Sequence, residues 1–279
     1  MIGRAERTIS LGDDVPGRIS RLPGGVALNI AMTLARFGMQ PSVLSWIGED
    51  TQGDDLMQAV AARGVDVSLV TRGPDLPTDR YMAIEGANGL VAAIADAHSL
   101  ESAGARILAP FSDGRLISPW QGTVALDGNL TETLLSEIAG DTAFSQADLR
   151  IAPASPGKAA RLRCVMRHQG ATLYVNRIEA GLICARDFPD ARGAAECLVA
   201  QGAARVLVTD GAKPCAEATR GAETLGALPP RVKVARITGA GDTFMAAHIA
   251  AESRGLARPD ALEQALIRAA DYVAGEIGS

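Results

Sequence analysis

Residues 171–211 read ATLYVNRIEAGLICARDFPDARGAAECLVAQGAARVLVTDG, and the fold class turns on this stretch. Two short runs, Thr172–Asn176 and Arg205–Thr209, are nearly all apolar and lack the alternation of a half-exposed strand; a helical pattern over Ala191–Gln201 lies between them. Such runs suit strands covered on both faces, and strand–helix–strand is the unit from which parallel sheets are built. The same rhythm extends outward. Strands are predicted at Ser42–Ile47, Arg106–Ala109, Thr123–Leu126 and Leu149–Ala152, with helices at Val26–Phe37, Gly53–Arg63, Thr131–Ile138, Pro156–His168, Thr243–Arg254 and Pro259–Gly275. This alternation predicts an α/β fold, a doubly wound and mainly parallel sheet with helices on both faces.

Composition is consistent with that architecture. Among 279 residues, 47% are hydrophobic, yet ten aromatics stand against fifty alanines and thirty glycines, so the core is expected from close packing of small and branched side chains. A net charge of −5 argues against a nucleic-acid backbone or an anionic membrane as main partner, because neither is attracted at a distance. No apolar run reaches the roughly 18 residues of a spanning helix, and a cytoplasmic location is expected. Cys164, Cys184, Cys197 and Cys215 form no CxxC pair, which speaks against a zinc site or disulfide framework.

Two stretches break the rhythm. Thr8–Arg21 is polar and turn-rich, and Thr78–Ala97 has two β-prone arms around a Gly86–Gly89 turn; together they predict a small β-flap on one domain spanning residues 1–279. At the start, Met1-Ile2-Gly3 is short for the opening strand of a βα domain: either the sheet lacks most of its first strand or the true N-terminus lies upstream.

Thr238-Gly239-Ala240-Gly241-Asp242-Thr243-Phe244 precedes an apolar helical pattern. Small residues at a helix start let backbone N–H groups converge on an anion, and Asp242 stands where a hydroxyl would lose its proton. An equally good reading makes Thr238 or Asp242 a helix cap. Gly24-Gly25 permits close approach of a ligand to the backbone, and Asn29 follows on the first helical turn, where its amide can bond a polyol; a plain tight turn is the alternative. Asn176 and Glu179 fall at the carboxyl edge of the sheet, suited either to a hydrated Mg²⁺ or to a capping box. Thr209-Asp210-Gly211 could cover nucleotide phosphates or be an ordinary turn. There is no GxxxxGK[ST], strand–GxGxxG–helix, HExxH or GxSxG, which disfavours P-loop, dinucleotide, zincin and α/β-hydrolase chemistry.

These segments, in this order, resemble the PfkB (ribokinase-like) carbohydrate kinase family: GGVALNIAMTLARFG, WIGEDTQGDDL and RGVDVS upstream, and RITGAGDTF downstream. The resemblance runs from Gly3 to the last helix. It implies an anion hole at Gly239, Ala240 and Gly241, a catalytic base at Asp242, Mg²⁺ organised by Asn176 and Glu179, and a β-lid from about 8–21 and 78–97. It further implies acceptor contacts from Gly24, Gly25, Asn29 and Tyr81, nucleotide contacts from Thr209, Gly211, Thr238 and Asn176, ATP as donor, and a homodimer through the lid, favoured by an exposed edge at Tyr81–Ile84. Within the family, RYMAIEGANGLVAAIADA, LDGNL, APASPGKAARL and NRIEAG are most similar to pseudouridine kinases, implying ATP-dependent 5′-phosphorylation of a C-nucleoside. A kinase for ribose, adenosine or a hexose and a non-catalytic ligand-binding relative are the alternatives. The chain departs from the pattern at four places, one being Ala247, where a glycine is common in the signature helix. RAERT follows Gly3 where an early sugar-binding Asp is usual, so that role would pass to Asp14 or Glu6; Arg236 stands where many relatives place a cation-binding Asp; and Pro214-Cys215 interrupts the usual glycine after TDGA.

Overall fold

The computed structural model describes residues 1–10, 12–87 and 89–276. Its N-terminal third contains β1 (Ile2–Ala5), β2 (Gly17–Ser20), α1 (Val26–Arg36), β3 (Trp46–Gly48), α2 (Thr51–Ala61), β4 (Thr71–Gly73), β5 (Arg80–Gly86) and β6 (Gly89–Asp96). After α3 (His98–Ala103) and the short α4 (Ala109–Ser112) come β7 (Thr123–Asp127), α5 (Glu132–Gly140), β8 (Asp148–Ala152), β9 (Ala171–Asn176), α6 (Arg177–Cys184), α7 (Ala191–Ala200) and β10 (Arg205–Asp210). The hairpin strand β11 (Lys213–Thr219), β12 (Leu225–Ala227), α8 (Ala240–Ser253) and α9 (Arg258–Ala274) complete the chain.

The large sheet has the order β12-β11-β10-β9-β8-β7, with β7 to β10 parallel and β11 and β12 antiparallel. Its central strands β9 and β10 are mostly apolar on both faces for a visible reason. Leu173 and Val175 of β9, with Val206 and Val208 of β10, point into one core with Ile138, Ile183 and Leu198; the alternate residues Tyr174 and Leu207 point into a second with Ile30, Phe244 and Met245. Period-2 alternation buried on both sides leaves no polar face to read in the sequence. Helix α8 is buried from Thr243 to Ala251, and its alanines let α1, α9 and the sheet approach closely around it. Ala247 belongs to that contact, at 3% exposure, where a larger side chain would be overpacked.

Several expectations change. Arg106–Ala109 is not a strand: a 3-10 turn over Gly104–Leu108 runs into α4, whose first turn takes Pro110, a residue suited to a helix start and unsuited to an interior strand. Of Ser42–Ile47 only Trp46 and Ile47 enter a strand, while Ser42 makes an isolated bridge to Asp66. Pro156–Cys164 is a 3-10 rather than an α-helix; three residues per turn stack Lys158 over Arg161, and both reach the loop after β7. Helix α6 was absent from the predicted helices. Residues Ile2–Ala5 are not the stub of a large-sheet strand, because they pair antiparallel with β2 and parallel with β5 in a four-stranded sheet of order β2-β1-β5-β6. That order also places Tyr81–Ile84 in the interior of the small sheet, flanked by β1 and β6, so it offers no free edge.

Candidate active site

The parallel strands β7, β9 and β10 end on Asp127, Asn176 and Asp210, and the helices that follow or face these ends bring polar groups to one rim, the usual ligand position of open α/β sheets. Helix α8 starts at Ala240, three residues earlier than predicted, so the small-residue motif is its first turn rather than a preceding loop. Gly239 is the N-cap at φ 91°, a left-handed conformation that glycine adopts at little cost. A Cβ there would also lie 2.5 Å from Tyr272 Oη, whose O–H donates to the Thr238 carbonyl at 2.8 Å. No side chain caps α8, which removes the reading of Thr238 or Asp242 as a cap. The Ala240 N–H donates to the Ile237 carbonyl at 3.0 Å, whereas among the described residues those of Gly241 and Asp242 take no carbonyl from the preceding turn.

Asp242 instead turns to α1. Asn29 Nδ2 donates to Asp242 Oδ2 at 2.8 Å, joining residues 213 positions apart. Burial pushes the Asp242 carboxyl up to about 6, the Asn29 bond opposes the shift, and the nearby Asp127 and Glu179 carboxylates add to it. Asp127, quoted above within LDGNL but given no role there, holds the start of α1 just after the Gly24-Gly25 turn. Its Oδ2 accepts from the Ala27 N–H at 3.3 Å, at a helix start whose N-cap Gly25, φ 114°, has no side chain to do so. Standing directly after the predicted strand Thr123–Leu126 was the available signal.

Asn176 and Glu179 form the capping box of α6: Asn176 Oδ1 accepts from the Glu179 N–H at 2.9 Å and Glu179 Oε2 from the Asn176 N–H at 2.8 Å. Glu179 is 9% exposed, burial pushes its carboxyl up, and its Oε1 takes no part in the cap. One carboxylate oxygen of this kind fits Mg²⁺, which keeps most of its waters; no cluster of three or more metal-ligating side chains exists among the described residues. Thr209 is the cross-strand partner of Asn176, and Gly211, φ 62°, makes the β10–β11 turn. Pro214 sits beside the irregularity between Val208 and Asp210, where the ladder is already interrupted. Arg177 Nε pairs with Asp210 at 3.0 Å, tying that turn to α6.

Other predicted residues stay apart. Asp14 is exposed, with its carbonyl accepting from Arg7 at 3.4 Å, and no hydrogen bond joins its carboxylate to the Asn29–Asp242 pair among the described residues. Glu6 is exposed as well, and Tyr81 lies on β5 at 48% exposure. Arg236 donates from Nε to the Tyr272 carbonyl at 2.8 Å and stacks 3.8 Å from that ring's centroid, so a guanidinium, incapable of ligating a cation, flanks the α8 start.

An unsatisfied helix N-terminus beside a half-buried carboxylate suits the transfer of an anionic group to a hydroxyl. Comparison with known proteins agrees. The chain is 29% identical over 248 residues to pseudouridine kinase of Escherichia coli K12, covering 88% of this chain and 77% of that one. A carbohydrate kinase structure from Agrobacterium tumefaciens superposes with a TM-score of 0.79 at 26% identity, over 96% of this chain and 85% of the other. Ribokinase from Thermotoga maritima, at 20% identity, gives 0.76 over 98% and 89% and shows the shared fold. The sequence profile of the pfkB family carbohydrate kinases matches residues 4–275, and the chain belongs to that family of phosphotransferases acting on hydroxyl groups.

Proposed function

We propose that the chain transfers the γ-phosphoryl group of ATP to the 5′-hydroxyl of pseudouridine. The observation that carries the chemistry is the Asn29–Asp242 contact at the mouth of α8, which aims a carboxylate where the α8 amides can bind an anion. The acceptor is read from the likeness to pseudouridine kinase. Asp242 accepts the hydroxyl proton as the new P–O bond forms, while the Gly241 and Asp242 amides stabilise charge on the transferring oxygens. Glu179, at the Thr209–Asn176 end of the sheet, would hold Mg²⁺, which when bound offsets charge on the polyphosphate. The small sheet acts as the lid that excludes water from the site, completing a single kinase domain.

Phosphate transfer from Mg-ATP to pseudouridine, uridine, ribose, adenosine and fructose tests this reading. Preferred turnover of pseudouridine is expected. Preference for another member of the panel would replace the acceptor, and a ligand-induced rise in melting temperature without turnover of any would sink the catalytic reading.

The raised Asp242 carboxyl sets a pH dependence. Asp242 must be ionised to take the proton, so kcat/KM is expected to climb about tenfold per pH unit below about 6 and to level above it. A profile flat from pH 5 to 7 would show that another group governs the step.

A homodimer through the small sheet is part of the proposal. Ile19 and Ile84 flank Gly3 in register, and Met82 faces Ile94, so all four share one face; Ile19 is 80% and Ile94 63% exposed. Light scattering at micromolar concentration is expected to give twice the chain mass, and a monomer would refute the pairing.

A further inference from the structure

The loops after β7 and β8 are pressed together at the rim that also carries Asp127. A Cβ on Gly128 would come within 2.7 Å of Pro153 Cα and 2.9 Å of the Ala154 nitrogen, and the Gly128 N–H donates to the Ala152 carbonyl at 2.8 Å. Arg161 locks the same loop by donating to the Asn129 and Leu130 carbonyls, each at 3.1 Å, while its charge is met by Glu101. Lys158, one 3-10 turn earlier, has a different role. Its Nζ donates to Asn129 Oδ1 at 2.8 Å, and Asn129 in turn gives its N–H and Nδ2 to the Asp127 carboxylate at 2.8 and 3.3 Å.

Asp127 bonds the first turn of α1 and lies close enough to Asp242 to shift its ionisation, so the row Lys158–Asn129–Asp127 leads away from the reacting end of the site. An ammonium has three donors and Asn129 takes one. No carboxylate lies within ion-pair distance of Lys158 among the described residues, although its side chain is half-buried. Such a group is held in place by a neutral amide with its remaining N–H bonds uncommitted. With Arg161 already securing the loop, fastening it does not require a lysine.

We infer that Lys158, oriented by Asn129, is a specificity-determining residue that donates to a carbonyl oxygen on the base of a nucleoside acceptor. This rests on the nucleoside reading given above. A sugar hydroxyl needs no cation, whereas a pyrimidinedione carbonyl is an acceptor only, and a hydrogen bond from a charged donor discriminates more strongly than one from a neutral group. The residue acts in binding, with no part in the proton transfer at Asp242.

Steady-state kinetics of the full chain with Mg-ATP and pseudouridine test the assignment. Lys158→Met is expected to raise KM for pseudouridine about 10- to 100-fold, the loss of one charge-assisted hydrogen bond, while KM for ATP stays within about twofold. Lys158→Arg, which keeps a donor, should recover part of the loss. An acceptor KM within about twofold of wild type, or equal rises in both KM values, would overturn the inference. Failure of the wild-type chain to phosphorylate pseudouridine at all would overturn the acceptor reading first, on the wild type alone.

Discussion

Asp242→Asn is expected to lower kcat by about 10²- to 10⁴-fold, the range for losing a positioned general base, while the melting temperature at pH 7.5 does not fall. The two halves of this result have one cause. In the fold the Asp242 carboxyl is held up to about 6 by burial and by the Asp127 and Glu179 charges, above its ordinary 3.8. A carboxyl whose folded value exceeds its unfolded value opposes folding at every pH above the folded value, and that cost disappears as pH falls through the unfolded value. A neutral amide escapes the cost and still offers an oxygen to Asn29 Nδ2, so the variant should match or exceed wild type in stability at pH 7.5 and converge with it near pH 4. KM for ATP should change by less than about threefold, because the α8 amides remain. The rise of kcat/KM through about pH 6 should vanish with the carboxylate. Turnover near wild type would remove Asp242 as the base; loss of turnover together with a large fall in melting temperature would mark it as structural.

The parts of this fold that are legible in the sequence are those governed by local period. Strands β7 to β10 were readable because short, mostly apolar runs stand between helical patterns, each within one residue of the observed strand at either end, and α8 because of its all-round apolar face. Its start was misplaced because Gly239 and Gly241 have low helical propensity, and the Tyr272 hydroxyl that packs against Gly239 and bonds the Thr238 carbonyl comes from a helix some thirty residues on. Asp242 and Asn29 were both found by motif, yet nothing in their spacing announced the hydrogen bond between them. Asp127 and Lys158 stand within LDGNL and APASPGKAARL and Tyr272 in no quoted segment; the parts of all three in the site come from strand register and loop packing, which a single sequence does not display. The Arg106–Ala109 run shows the complementary failure, since four residues of mixed aliphatic character fit a buried turn as well as a strand.

Glu217→Ala is expected to cost about 3–5 kcal/mol, the range for removing one partner of a buried ion pair, and so to lower the melting temperature by roughly 10 °C. Glu217 on β11 is fully buried, and its Oε1 accepts from Arg205 at 2.8 Å and from Arg258 at 2.6 Å. Arg258 is 31% exposed, so water compensates it in part; Arg205, at 14%, would keep Glu252 at 2.6 Å but lose half of its counter-charge. The network continues through α8. Arg150 bonds Tyr174 Oη at 2.9 Å and pairs with Glu252, while Arg205 Nη2 lies 3.3 Å from His248 Nε2. Because a guanidinium only donates, Nε2 accepts, and Nδ1 carries the imidazole proton toward Tyr174 Oη at 2.8 Å. Burial holds His248 down to about 3, so the ring is neutral at working pH and adds no charge to offset the loss. These contacts grip the carboxyl-terminal half of α8 at His248 and Glu252, more than one and a half turns from Asp242, so the damage should be to stability rather than to chemistry: kcat measured at 20 °C should stay within about threefold of wild type. Glu217→Gln, which keeps an acceptor oxygen without the charge, should lose less than the alanine variant. A melting temperature within about 2 °C of wild type for Glu217→Ala would show that the arginines are already satisfied without it, and the network would then carry no stability through β11.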